Sequence, residues 1–328
     1  MRVFVTGATG YIGFAVVNEL IQTGHEVTGL ARTAESAARL EAVGAIAQLG
    51  TIEDLECLRR GAAAADGAIH TAFFHAFGQA RLSTRLSVML GGAPADIVKR
   101  FMTAAAQADR RAIETLGNAL RGPERHLVTA FPTMAMALGR KATESDSPDP
   151  TAPGGLRGRT ERVVTELASR GVRSTIIRLP PSVPDETKQG LVTQLIAIAR
   201  KKRVSAYIGD GLNRWAAVHR LDAARLFRLA LENGEAGARY HAVAQESIPF
   251  RDIADDIARH LGVQTTSLAP REAAKHFGWL APFIAADNPV SSLATQEQLG
   301  WTPTHPRLMS DIATALHEAG PRALAPAA

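Results

Sequence analysis

Apolar positions alternate between short β-type runs and segments of helical period as far as Leu179. Arg2 to Val5 is an apolar run ending in Thr6-Gly7. From Tyr11 to Thr23, Ile12, Val16, Leu20 and Ile21 recur at helical spacing until Gly24 stops the helix, and Val27 to Leu30 is a second β-rich run. Strand, tight turn, helix and strand in so short a stretch make a βαβ unit, so the two strands are expected to be parallel and joined by a right-handed crossover. The rhythm then repeats. Helices are expected over Glu35 to Val43, Ile52 to Ala64, Ala104 to Leu120 and Thr160 to Arg170. Strands are expected over Ala45 to Leu49, Gly67 to Thr71, His126 to Ala130 and Ser174 to Leu179. This alternation predicts an α/β fold, a doubly wound, mostly parallel sheet of the Rossmann type with helices on both faces.

The punctuation changes at Pro180, Pro181 and Pro184, which places a boundary there. Residues 1–180 are read as a dinucleotide-binding domain, with 204–245 partly returning to it through a strand over Arg239 to Ala244. Residues 181–203 and 246–328 are read as a smaller, mostly helical substrate lobe. That lobe opens with a helix over Leu191 to Arg203; a loop carrying Gly209, Gly211 and Asn213 follows, then a helix over Asp222 to Asn233. Ala142 to Gly158, rich in Pro, Gly, Ser and Asp, is expected to be a surface loop.

Composition narrows the class. At 328 residues, 46% hydrophobic and 21% charged, the chain is long enough for about two domains and is neither disordered nor fibrous. Its single cysteine, Cys57, excludes an internal disulfide framework and thiolate zinc sites, and makes a reducing, cytoplasmic setting the default. Met1 leads straight into Arg-Val-Phe-Val-Thr-Gly, without the apolar stretch of a secretory leader. The longest apolar run, Leu191 to Ala199, is interrupted by Gln194 and is too short to span a bilayer, so no membrane partner is expected. The net charge of +5 is spread thinly. Its one block, Arg200-Lys201-Lys202-Arg203, reads as the cationic last turn of a helix, not a nucleic-acid contact. The ten histidines show no pairing with carboxylates at metal spacing, so no metal is expected.

The chemistry starts at Thr6-Gly7-Ala8-Thr9-Gly10-Tyr11-Ile12-Gly13, which follows a strand and opens a helix. Gly7 permits the tight turn, Gly10 lets the backbone approach a pyrophosphate, Gly13 lets helix and strand pack closely, and the helix N-terminus offers free N–H donors. Cofactor contacts are therefore expected from Gly7, Thr9, Gly10, Tyr11, Ile12 and Gly13. Where an acid would bind the ribose 2′-hydroxyl of NAD, the chain reads Leu30-Ala31-Arg32-Thr33. A guanidinium there suits a 2′-phosphate, so NADP is the expected cofactor, with Arg32 as its phosphate ligand and Arg39 a weaker second candidate.

The Thr-preceded Gly-x-x-Gly-x-x-Gly spacing resembles the extended and atypical branches of the short-chain dehydrogenase/reductase superfamily, and in its closest sense the NAD-dependent epimerase/dehydratase-like proteins. Later segments agree. Ala68-Ile69-His70-Thr71-Ala72 is similar to the family's fourth strand beside the cofactor, adding Thr71 and Ala72 to the expected contacts. Arg178-Leu179-Pro180 is similar to the strand entering the substrate lobe, and Val218-His219-Arg220-Leu221-Asp222 to the segment returning to the sheet. The resemblance covers most of the chain and implies a possible homodimer.

At the catalytic positions it breaks. The family's Tyr-x-x-x-Lys pattern falls on Pro153 and Arg157, and the chain's three tyrosines, Tyr11, Tyr207 and Tyr240, lie elsewhere. Arg157 can supply a fixed charge but no proton; the alternative is a solvated residue at a helix start. The family's Ser falls on Phe131, leaving Thr129 or Thr133 to hold a substrate oxygen or else to satisfy local backbone. Asp109 stands where the family's relay Asn sits, unless it is a surface partner of Arg110 or Arg111. His75, which follows the fourth strand and titrates near working pH, is the first candidate proton donor, with a packed ring as the alternative; Tyr207 is the second. The long, partly apolar connection Arg81 to Phe101 reads as a flap or as an extra packed helix. The resemblance and the residues together imply an NADP-dependent oxidoreductase reducing a carbonyl or imine of a small organic substrate. The alternatives are a non-catalytic NADP-binding sensor or scaffold, and a nucleotide-sugar epimerase or dehydratase.

Overall fold

The computed structural model describes residues 1–318; the last ten positions assigned to the substrate lobe lie outside the described residues. In chain order the elements are β1 (Arg2–Thr6), α1 (Tyr11–Gln22), β2 (Glu26–Ala31), α2 (Ala34–Glu41), β3 (Ile46–Leu49), α3 (Leu55–Ala63), β4 (Gly67–His70), α4 (Leu82–Leu90), α5 (Ile97–Ala119), β5 (Gly122–Pro132), α6 (Gly155–Ser169), β6 (Val172–Leu179), α7 (Val192–Lys202), β7 (Val204–Ile208), β8 (Arg214–Ala217), α8 (Arg220–Asn233), β9 (Arg239–His241), β10 (Gln245–Pro249), α9 (Phe250–Leu261), β11 (Gln264–Leu268), α10 (Pro270–Phe277), α11 (Ala281–Ile284), α12 (Leu293–Leu299) and α13 (Leu308–Glu318). They fall into two compact units. One comprises 1–131, 156–177 and 224–240, the other 132–155, 178–223 and 241–318 of the described residues.

The first unit is built around a seven-stranded sheet in the order β3-β2-β1-β4-β5-β6-β9. Pairings from β3 through β5 are parallel, and the reversal of order at β1 is the topological switch point at which doubly wound sheets bind ligands. β1 and β4 are buried almost throughout because helices cover both faces. α1 turns Ala15, Val16, Val17 and Leu20 onto the sheet. The core on the other side joins Phe4, Leu58, Ile113, Leu116, Leu127, Val164 and Ile176. β9 supplies the seventh strand, the return read from Arg239.

The connection 81–101 is an extra helix tied to its unit. Arg100 donates to the carbonyls of Val88 and Ala93, and Glu53 accepts from the Arg81 amide and the Thr84 hydroxyl. Its outer face leaves Leu82, Leu86, Met89 and Leu90 exposed.

The second unit packs α7, α9 and α13 with two small sheets, β7 with β11 and β8 with β10. Its core centres on Trp215 and Phe250, edge to face at 5.0 Å, with Ile253, Ile257, Leu280, Leu308 and Ile312. The helical segments lie where the periodicity puts them, but all four small-sheet strands escape the sequence reading. At four or five residues each, they carry too few positions to show alternation. The basic block closes α7, with Arg203 capping it in the left-handed region at φ 58°. Among the described residues no helix is long and apolar enough to cross a membrane, and no cluster of side chains could hold a metal ion.

Candidate functional site

The glycine turn links β1 to α1 at the switch point. Gly7 has φ +72°, and a Cβ there would stand 2.6 Å from the Thr71 hydroxyl and 2.8 Å from the Ala72 amide, so the segment after β4 backs directly onto the turn. Thr71 itself is committed: its hydroxyl donates to the Thr6 carbonyl at 2.9 Å. A Cβ on Gly13 would stand 2.1 Å from the Gly7 carbonyl oxygen, closer than any side chain tolerates. Gly10 is exposed and has ordinary extended dihedrals, φ −75° and ψ 169°. Its lack of a side chain therefore serves approach, not conformation. No side chain caps α1, and no acid occupies its first turn, so the positive end of its dipole faces outward without a protein anion against it. Thr9, Tyr11 and Ile12 are half-buried beside it. This cradle fits the pyrophosphate of a dinucleotide.

Arg32 follows β2 directly, is exposed, and makes no hydrogen bond or ion pair with any described residue. Thr33 beside it caps α2, accepting from the Ser36 amide at 3.1 Å. Arg39 is occupied differently: its guanidinium lies 4.6 Å from the centroid of the Phe14 ring.

A buried polar chain crosses the carboxyl ends of β1, β4 and β5. The Thr6 hydroxyl lies 2.6 Å from His70 Nδ1, and His70 Nε2 lies 3.0 Å from Asp109 Oδ1, with His70 and Asp109 wholly buried. A neutral ring satisfies both bonds: Nε2–H donates to the Asp109 carboxylate, and Nδ1 accepts the Thr6 hydroxyl. Asp109 Oδ2 makes no hydrogen bond but faces Arg157 Nη2 at 3.5 Å. Arg157 donates from the same nitrogen to the Ala130 carbonyl at 2.7 Å, and its Cζ lies 4.4 Å from the Phe73 centroid and 5.0 Å from that of Phe131. Aromatic faces suit a guanidinium, which is planar and weakly hydrated. His75 stands edge-on to Phe73 at 5.4 Å and is an exposed residue. The surrounding protein and the Arg157 charge hold its pKa below the usual imidazole value, against the opposing pull of Asp109.

The structure therefore gathers His75, Asp109 and Arg157 in one unit, beside the glycine turn. Asp109 is buried, not a surface partner of its arginine neighbours; Arg110 pairs instead with Glu114. Thr129 is buried and donates to the Thr175 carbonyl on the neighbouring strand β6 at 3.1 Å. Thr133 and Tyr207 belong to the other unit. There the buried Thr133 hydroxyl donates to Asn288 Oδ1 at 2.9 Å, and Tyr207, on β7, has the Arg251 guanidinium 5.6 Å from its ring centroid. His70, Phe73 and Phe131 received no role from the sequence. The available signal was a lone polar ring closing the otherwise apolar strand Gly67–His70.

Comparison with known proteins agrees with this architecture. Residues 3–113 match the model of the NAD dependent epimerase/dehydratase family. An uncharacterized protein of Schizosaccharomyces pombe is 45% identical over 316 residues, covering 96% of this chain and 99% of its own. A 4-hydroxy-2-methyl-3-oxo-4-farnesyl-3,4-dihydroquinoline-1-oxide ketoreductase of Stigmatella aurantiaca is 25% identical over 307 residues, 90% of this chain and 85% of its own. Among solved structures, DesIV, a dTDP-glucose 4,6-dehydratase from Streptomyces venezuelae, superposes with a TM-score of 0.72 at 20% identity, covering 97% of both chains. The chain belongs to the NAD-dependent epimerase/dehydratase family. The family is described by its dependence on the nicotinamide dinucleotide NAD.

Proposed function

We propose that the protein is an NADP-dependent reductase acting on a carbonyl of a small organic substrate. The observation that carries the cofactor choice is Arg32: an exposed guanidinium without a partner among the described residues, directly after β2, where a carboxylate would be needed to hold a ribose 2′-hydroxyl. A 2′-phosphate offers it charge-assisted, bidentate hydrogen bonds. The cradle of Gly7, Gly10 and Gly13 would hold the pyrophosphate, with Thr71 and Ala72 behind it.

Bound there, the reduced cofactor supplies a hydride. The chain's own part is electrostatic. Arg157 holds a permanent positive charge at the ends of β4 and β5, which favours negative charge developing on a carbonyl oxygen. The same charge repels a protonated imine, which favours the carbonyl among the two substrate types. His75, exposed beside this group, is the proposed proton donor. The Stigmatella relative's name, a ketoreductase, supports the same reading.

Calorimetric titration with NADPH and NADH tests the cofactor assignment. NADPH is expected to bind more tightly, and Arg32→Ala to remove most of that preference. Charge-assisted hydrogen bonds are worth about 1.5–3 kcal/mol, so the expected change is roughly 10- to 150-fold. Equal affinities in the parent protein would refute it. Transfer of deuterium from labelled NADPH to a member of a ketone and aldehyde panel supports the reductase, whereas binding without transfer across a broad panel supports the sensor alternative.

A further inference from the structure

We propose that the Asp109–Arg157 pair, held from behind by Thr6 and His70, makes the dinucleotide site select the reduced nicotinamide over the oxidised one. The inference rests on the cofactor reading above.

The two redox forms differ by one unit of charge at the ring: the oxidised nicotinamide is cationic and the reduced ring neutral. A fixed protein charge close to that ring therefore binds one form better than the other. In a doubly wound sheet, the turn after β1 takes the pyrophosphate and the edge of β2 takes the adenosine sugar. The carboxyl ends of β4 and β5 are left to the nicotinamide half. Arg157 occupies that place: it donates to Ala130 near the end of β5 and lies over Phe73, three residues past β4.

The pair is asymmetric. Asp109 is wholly buried, whereas the Arg157 side chain is 17% exposed, so the positive end is the accessible one. The carboxylate cannot swing out to cancel it. His70 holds Asp109 Oδ1 at 3.0 Å, and Thr6 holds His70 at 2.6 Å, which leaves Oδ2 facing the guanidinium without a hydrogen bond of its own. Arg157 is fixed in turn by the Ala130 carbonyl and two aromatic faces. Asp109 and His70 are positioning residues here, acting on the dinucleotide through the direction and net size of this charge.

The two halves of the pair consequently have opposite effects, which a structural role would not produce. The quantity to measure is the ratio of dissociation constants, oxidised over reduced NADP, by calorimetry without substrate. In the parent protein the reduced form is expected to bind at least about threefold more tightly. Arg157→Gln exposes the influence of the buried carboxylate and should lower the ratio by at least that factor. Asp109→Asn removes the compensating negative charge and should raise it. Arg157→Lys, which keeps the charge, should preserve it, and it decides the matter against Arg157→Gln should Asp109→Asn fail to fold. Ratios that stay constant, or that shift in the same direction in Arg157→Gln and Asp109→Asn, overturn the inference while leaving the cofactor assignment intact. Failure of the parent protein to bind either form overturns the cofactor reading, and this inference with it.

Discussion

Alanine at Gly10 and at Gly13 should separate the two demands made on the same turn. At Gly13 the new Cβ would stand 2.1 Å from the Gly7 carbonyl oxygen and 2.7 Å from its carbon. Backbone must retreat by roughly 1 Å, and Gly7, pinned at φ +72° against Thr71 and Ala72, has little freedom to do so. Overpacking of this kind costs about 1–3 kcal/mol or more, against about 1 kcal/mol gained in helix propensity. The expected net loss of about 2 kcal/mol lowers Tm by about 4–8 °C for a unit of this size. At Gly10 the dihedrals already suit alanine and the nearest atom, the Gly7 oxygen, is 3.1 Å away, so the bare protein should lose little. The methyl group instead fills the space a pyrophosphate needs. At a ligand concentration 100 times Kd, binding stabilises the folded state by about 2.7 kcal/mol, and a tenfold loss of affinity cuts that to about 1.4 kcal/mol. Thermal melts with and without NADPH check both. Gly13→Ala should melt early without ligand; Gly10→Ala should melt normally but show about half the ligand-induced shift or less. A Gly10→Ala protein with the full shift, or a Gly13→Ala protein as stable as its parent, would refute the reasoning.

Three further predictions concern protons. Burial, with Asp185 and Glu186 nearby, pushes the Asp311 carboxyl up to about 6. Because the folded value lies above the unfolded one, stability falls as pH rises from about 4 to 6, by at most about 3 kcal/mol; Asp311→Asn should therefore be more stable at pH 8, with the advantage gone by pH 4 in denaturant titrations. Buried His126, bonded through Nδ1 to the Leu231 carbonyl at 2.9 Å, is pushed down to about 4. Its unfolded form takes up the proton first, so stability is lost as pH falls from about 6.5 to 4, and His126→Asn should flatten that limb. For His75, whose pKa is lowered, reduction rates should rise as pH drops below 6.5; His75→Phe with full turnover and an unchanged profile would end its assignment as proton donor.

Legibility along the chain followed the length and period of each signal. The Rossmann half was readable because strand, glycine turn and helix each leave a mark within a few residues, and because β1 and β4 are buried runs with no competing pattern. α5 starts at Ile97, seven residues before the expected Ala104, since Lys99 and Arg100 interrupt its apolar stripe while still helical. The candidate site was half legible. Gly7, Gly13 and Arg32 announce themselves by residue type at fixed spacing. The Thr6–His70–Asp109–Arg157 chain draws on β1, β4, α5 and α6, whose meeting depends on sheet order, and no local pattern encodes that order. Thr133 was similarly opaque: its partner Asn288 lies 155 positions away.

Two of the departures from the family's catalytic pattern are physically one. Phe131 stands where the resemblance puts a serine, and Arg157 where it puts a lysine. In the structure the second lies over the first, 5.0 Å from its ring centroid, with Phe73 closer still. An ammonium is a compact, strongly hydrated point charge, whereas a guanidinium is planar, more weakly hydrated and able to lie flat on both aromatic faces. A serine hydroxyl in place of Phe131 would remove one of those faces and would itself need a hydrogen-bond partner. The substitutions thus support each other, the aromatic ring supplying a face on which the guanidinium lies. Restoring the serine alone should consequently loosen the hold on the Arg157 guanidinium, not move the site toward the family's usual chemistry.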